Sequence, residues 1–177
     1  MSVLMIMDIE GVTVEQYDHV DRLLGGTTAD NAPAGLISHT AGPTDTGFFV
    51  ADVWESPEVC PSSSRRSCRC TNHIEGRGTE AGTIVIVEIA SLSADDYDRI
   101  TADLEAHSGD GGHPSVSHVA GIGAGGLYVV DVWGSEEEFG RFAEAELAPR
   151  AGDRLSDMKA RFARVRNHVR VKSPAQA

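Results

Sequence analysis

The sequence predicts an α+β protein made of two tandem βαββαβ units, residues 1–79 and 80–177, whose sheets pack face to face. Three blocks that match in the same order carry this reading. MIMDIEGVTVEQYDHV (5–20) lies over VIVEIASLSADDYDRI (85–100), so that Tyr17-Asp18 meets Tyr97-Asp98. LISHTAGPTDTGFFVADVWES (36–56) lies over SVSHVAGIGAGGLYVVDVWGS (115–135), so that Ser38-His39 meets Ser117-His118 and Asp52-Val53-Trp54 meets Asp131-Val132-Trp133. Asn72-His73-Ile74 lies over Asn167-His168-Val169. Self-similarity of this kind marks one supersecondary unit written twice.

Each element has a local cause. Leu4–Ile9 and Ile84–Ile89 are short apolar runs rich in branched residues, hence strands. Thr13 and Gln16 have capping-box spacing, as do Ser93 and Asp96 with a shorter acid, and each pair starts a helix. Tyr17, Val20, Leu23 and Leu24 recur at helical spacing as a core face, matched by Tyr97, Ile100 and Leu104. A strand carrying His39 or His118 follows. The glycine-rich stretches 42–47 and 121–126 are turns into hairpin partners Phe48–Trp54 and Leu127–Trp133. Ser56-Pro57 caps a further helix, and Ser135 with Glu138 forms a full capping box before Phe139, Phe142 and Leu147. Ala163–Lys172 closes the second unit as a strand. Such sheets carry helices on one face, so the bare faces cover one another and enclose a space.

The copies part company in one place. Residues 58–71 have no apolar periodicity, whereas EEFGRFAEAELAPRAGDRL (137–155) is a good amphipathic helix. The first unit therefore has a defective second helix, through a local frameshift with a deletion or through a divergent loop. Ile74-Glu75-Gly76-Arg77 reads as an inter-repeat linker.

Composition excludes several function classes. A net charge of −12 over 177 residues repels phosphate backbones, so no nucleic-acid partner is expected. No apolar run approaches a bilayer span, and the acidic MSVLMIMDIEGV start does not resemble a signal peptide; a cytoplasmic protein with no membrane partner is expected. Cys60, Cys68 and Cys70 with His73 match no common zinc spacing, so no metal is expected. Nucleotide, flavin and nicotinamide fingerprints and a serine-nucleophile elbow are absent.

Aspartate and tryptophan two residues apart on a strand share a face, which puts Asp52 with Trp54 and Asp131 with Trp133. Lining the enclosed space, they would offer a base and a flat wall; packed under a helix, they would be structural. His39 and His118, mid-strand, are candidate bases. The Asn-His pairs 72–73 and 167–168 are further polar candidates, and Tyr17 and Tyr97 read as helix core.

The stretches GVTVEQYDHV, PAGLISHTAG and VADVWES resemble actinobacterial dimeric α/β-barrel proteins grouped with antibiotic biosynthesis monooxygenases. The resemblance covers nearly the whole chain, twice, except residues 58–71. It implies ferredoxin-like units closed as an intrachain α/β barrel, as a monomeric pseudo-dimer or a homodimer. It also implies a small aromatic or polyketide-like partner, oxidised without a cofactor, or else bound without turnover, cyclised or isomerised. The catalytic set expected from it is His118, Asp131, Trp133, Asn167 and His168, with His39, Asp52, Trp54 and His73 as substrate-binding residues.

Overall fold

The computed structural model describes residues 2–60, 67–73, 82–107 and 114–171, with only the backbone of 67–73. The fold is mixed α+β. Strand β1 (Val3–Glu10) leads to helix α1 (Val14–Leu23), then β2 (Leu36–Thr44), β3 (Gly47–Trp54) and β4 (Ser67–His73). Strand β5 (Thr83–Ile89) leads to α2 (Ala94–His107), β6 (Ser117–Gly123) and β7 (Gly126–Trp133). Helix α3 (Glu136–Phe142), a π turn (Ala143–Leu147) and α4 (Ala148–Ala151) follow, then β8 (Lys159–Arg164) and β9 (Asn167–Arg170).

Two four-stranded antiparallel sets, β4-β1-β3-β2 and β8-β5-β7-β6, lie in one hydrogen-bonded order, β8-β5-β7-β6-β4-β1-β3-β2-β9. Strand β4 leaves β1 to pair with β6 of the other set, Asn72 opposite Ala120 and His73 opposite Val119. Strands β8 and β9 make the mirror-image move, from β5 to β2, with Asn167 opposite Ala41 and His168 opposite Thr40. The crossing is tight: the Arg166 amide donates to the Ala41 carbonyl at 2.8 Å, and a Cβ on Gly42 would collide with the Arg164 carbonyl.

Strand parity decides what each face meets. Leu4, Phe49, Ala51 and Val53 of one set and Ile84, Ile86, Val130 and Ala163 of the other form a single buried apolar cluster, so the two sets pack face to face. Val85, Val87, Ile89, Ala120, Leu127 and Trp133 point the opposite way, to α2 and α3.

Several expectations need correcting. The stretch 42–47 is mostly strand, and only Asp45-Thr46 turn. Ser56-Pro57 starts no helix; residues 57–59 are a turn. Of residues 58–71, the last five run as strand β4, and 61–66 lie outside the described residues, as does the expected linker at 74–77. The Thr13–Gln16 capping box forms in full, whereas at Ser135 the hydroxyl accepts from the Glu138 amide as a simple N-cap. Helix α1 has no buried residue: Val20, Leu23 and Leu24 are 53, 74 and 76% exposed, so its apolar stripe lacks the cover that periodicity promised. No helix among the described residues is long and apolar enough to cross a membrane.

Candidate functional site

Histidine and aspartate come together because β6 and β7 are register partners. His118 stands opposite Asp131, both on the helix-facing side of the sheet. There the His118 Nδ1 and Asp131 Oδ1 atoms are 2.7 Å apart, and His118 Nε2 is 2.8 Å from the hydroxyl of Tyr97 on α2. The imidazole and phenol rings lie nearly parallel, 3° apart. All three residues are buried. An ionised aspartate only accepts hydrogen bonds, so Nδ1–H donates to Asp131. In the neutral imidazole, Nε2 then accepts the Tyr97 O–H; in the imidazolium it donates to the Tyr97 oxygen.

Electrostatics sharpen the roles. Burial alone pushes the His118 pKa down, but the charge and the hydrogen bond of Asp131 outweigh it, and the net shift is upward. Burial lifts the Tyr97 phenol to about 12, which keeps it protonated at neutral pH.

Tyr97, His118 and Asp131 open onto a cavity of about 320 Å³ between the sheet and the helices. Its other walls are mainly apolar, with Val87, Leu127 and Val129 below and Ile100, Phe142 and Leu147 above. The π turn helps make this wall. It sets Phe142 and Leu147 five residues apart on the lining face, while Glu146 pairs with Arg150 at 2.8 Å. Arg150 also meets Asp103 of α2 at 2.9 Å, which ties the two helical walls together.

The first half holds the same relay. His39 Nδ1 is 2.6 Å from Asp52 Oδ1, and His39 Nε2 is 2.8 Å from the Tyr17 hydroxyl. Its surroundings differ. The Tyr17 ring stacks on Phe48 with centroids 4.4 Å apart, and the Asn167 amide donates to the Tyr17 oxygen and to the Thr27 carbonyl, each at 3.4 Å. Burial lifts Tyr17 to about 12 as well.

The expected catalytic set is therefore split. His118 and Asp131 meet at the cavity. Trp133 stands beside them and donates its indole N–H to Asp131 Oδ2 at 3.3 Å, but packs against Phe139 and Phe142 and is not part of the cavity lining. Asn167 is carried by β9 to the first half's relay. His168 faces the opposite side of the sheet, with Nδ1 2.8 Å from the Thr40 hydroxyl and Nε2 buried without a partner. Burial, then the charges of Arg170 and His39, lower its pKa to about 4. Among the substrate-binding candidates, His39 and Asp52 join the first relay. Trp54 is buried among Met5, Leu36 and Cys60, its indole N–H unpartnered. His73 takes a place in β4, and its side chain lies outside what is described. The aspartates and tryptophans do not line the space between the sheets, which an apolar cluster occupies; strand parity turns them to the helices. Tyr17 and Tyr97, read from sequence as core, are the residues that reasoning missed. Their signal was the block match itself, which pairs Tyr with Tyr, His with His and Asp with Asp in both halves.

No family model matches the chain, and no curated protein matches it significantly. Solved structures do match its fold. A candidate monooxygenase from Lactobacillus acidophilus NCFM aligns with a TM-score of 0.66 at 10% identity, covering 96% of each chain. An anthrone oxidase-like protein aligns at 0.55 and 12% identity, covering 97% of this chain and 93% of that one. A major regulator of staphylococcal pathogenesis aligns at 0.54 and 12% identity, covering 92% and 96%. At such identities the likeness is one of fold.

Proposed function

We propose that residues 1–79 and 80–177 are ferredoxin-like repeats closed into an intrachain α/β barrel. The crossing strands β4 and β9 support this, because each leaves its own set to pair with the other. We further propose that the second repeat is the site of a cofactor-independent, monooxygenase-like reaction on a small aromatic or polyketide-like molecule. The observation that carries the proposal is the mainly apolar cavity with a buried Tyr97–His118–Asp131 relay on its wall. About 320 Å³ lies at the low end of the roughly 300–1,000 Å³ typical of small-molecule sites and suits a molecule of a few fused rings.

The chemistry follows from the relay. An acidic C–H or phenolic O–H of the substrate passes its proton to the Tyr97 oxygen as the Tyr97 proton moves to His118 Nε2. The resulting imidazolium is held by Asp131. The substrate anion, shielded from water, is electron-rich enough to reduce oxygen itself. For a methylene flanked by aromatic rings the balance is CH2 + O2 → C=O + H2O: the carbon loses four electrons, one oxygen atom enters the carbonyl and the other leaves as water. The relay supplies the base, and general-base catalysis typically contributes about 10²–10⁴-fold.

Oxygen uptake by the purified chain with a panel of anthrones, without added cofactor, tests this. Uptake above a protein-free control, lost in Tyr97→Phe, is expected. Binding of the panel with no uptake by the folded protein would sink the monooxygenase reading.

One observation favours a second reading. The same relay stands in the first half, where Asn167 and Phe48 already engage Tyr17, so the relay is compatible with a purely structural role. The chain would then be a binding protein, or a cyclase or isomerase, using the same cavity.

A further inference from the structure

One polar residue of the cavity, Glu105, is left unused by the relay. Tyr97, Thr101 and Glu105 follow at four-residue spacing on α2, so they form a polar line on the face that lines the cavity. Tyr97 is buried at one end, whereas Glu105 is exposed at the other. Eight residues at about 1.5 Å each put their Cα atoms roughly 12 Å apart. Arg150, which links α2 to α4, is already engaged, paired with Asp103 and Glu146. Among the described residues Glu105 has no hydrogen-bond or ion-pair partner, although its charge reaches the Tyr97 phenol and adds to the upward shift there. An exposed carboxylate at the open end of a mainly apolar cavity, unpartnered among the described residues, tells ligands apart by charge.

We propose that Glu105 is a specificity-determining residue, and that the cavity takes an elongated aromatic molecule bearing a hydrogen-bond donor, an amine or a hydroxyl, at the end remote from the relay. This rests on the reading of the cavity as the binding site. The aromatic body lies against Ile100 and Phe142, and its acidic position meets Tyr97. Its far substituent reaches Glu105. A cation there gains an ion pair and a hydroxyl gains a charge-assisted hydrogen bond, while a carboxylate meets like charge.

The test is binding of three probes by isothermal titration: anthrone, and its 2-aminomethyl and 2-carboxyl derivatives. Wild type should bind the amine best and the carboxylate worst, with a spread of roughly tenfold in Kd. Glu105→Gln should hold anthrone as wild type does and collapse the spread, and Glu105→Arg should reverse the order. Because residue 105 is exposed, both variants should keep wild-type circular dichroism and melting temperature. An unchanged order in Glu105→Gln, or tightest binding of the carboxylate by wild type, would overturn the proposal while leaving the cavity reading intact. Failure of all three probes to bind would overturn both. Oxygen uptake plays no part in this test, so loss of the monooxygenase reading would not by itself remove the role of Glu105.

Discussion

Two copies of one Tyr–His–Asp relay stand in this chain with nearly the same internal distances, and their surroundings differ in almost every respect. In the second half, α2, α3 and the π turn roof the relay and leave a cavity of about 320 Å³ beside it. In the first, a turn at 57–59 follows β3, α1 buries none of its residues, and Tyr17 is engaged by Phe48 and Asn167. A relay is built by register: the strand pairing that sets His39 opposite Asp52 also sets His118 opposite Asp131. A site is built by what covers the relay. The same hydrogen bonds therefore mean different things in the two halves.

The sharpest way to break this comparison is to delete the two phenol hydroxyls separately. Tyr97→Phe removes the proton carrier at the cavity and should lower oxygen uptake by on the order of 10²–10⁴-fold. Tyr17→Phe should leave uptake within about twofold of wild type. Each should cost on the order of 1 kcal/mol of stability by chemical denaturation, since Tyr97 gives up its bond to His118 and Tyr17 its bond to His39 and the weaker one from Asn167. Equal losses of activity in both variants would mean that the two relays work together, and the asymmetry drawn above would be wrong.

A second break concerns the strand that crosses between halves. Native His168 has its pKa lowered to about 4, against an ordinary value of 6.5. The unfolded chain then binds more protons than the native one between those values, so stability is full above about 6.5 and is lost as the pH falls toward 4. The loss is at most about 3 kcal/mol for a shift of this size, less whatever solvent reaches the partly buried ring. In His168→Leu the melting temperature should fall less steeply over that window. A wild-type slope retained in the variant would assign the acid sensitivity to other groups.

How far the sequence could see follows from where each property is encoded. Strands β1, β3, β5 and β7 and the cap at Thr13 were legible because they depend on neighbours in the chain. The pairing of His with Asp needed strand register as well, which the hairpins supply only once their turns are known to be the short Asp45-Thr46 and Ala124-Gly125. Tyr97 looked like core because it is core by burial; its hydroxyl finds His118 only across the sheet–helix interface. Asn167 and His168 were placed with the second half because that is where they lie in sequence. The turn of the chain at Val165-Arg166 sends them to β2, and adjacent residues on a strand then face opposite ways. The cavity depends on the π turn, which no periodicity announces.

The pH profile of activity sharpens the comparison further. His118 must be neutral to accept a proton, so uptake should rise with pH through a value above 6.5. Asp131→Asn removes the charge that raises this pKa, and the acid limb should move to lower pH even as the rate at its plateau falls. The stability effect has the opposite sense. A histidine raised on folding contributes stability that is complete below 6.5 and disappears as the pH rises through the raised native value. Asp131→Asn should abolish that alkaline loss in thermal melts. Asp131→Asn with an unmoved acid limb would remove His118 as the titrating base.

The smallest effect comes from the tryptophans. Trp133 and Trp54 are equally buried and each lies two residues beyond the relay aspartate, but the Trp133 indole donates to Asp131, whereas the Trp54 indole N–H has no partner. Replacing either with phenylalanine loses similar apolar volume and leaves a similar void. For Trp133 the exchange also breaks a hydrogen bond to a charged acceptor, typically a cost of about 1.5–3 kcal/mol. For Trp54 it removes a donor whose burial without a partner already costs about 1–3 kcal/mol, and so returns part of what the void takes. Urea denaturation should therefore find Trp133→Phe less stable than Trp54→Phe by at least about 1 kcal/mol. Equal losses would mean that water reaches the Trp54 indole in solution, and that the first half is less tightly packed there than its buried tryptophan suggests.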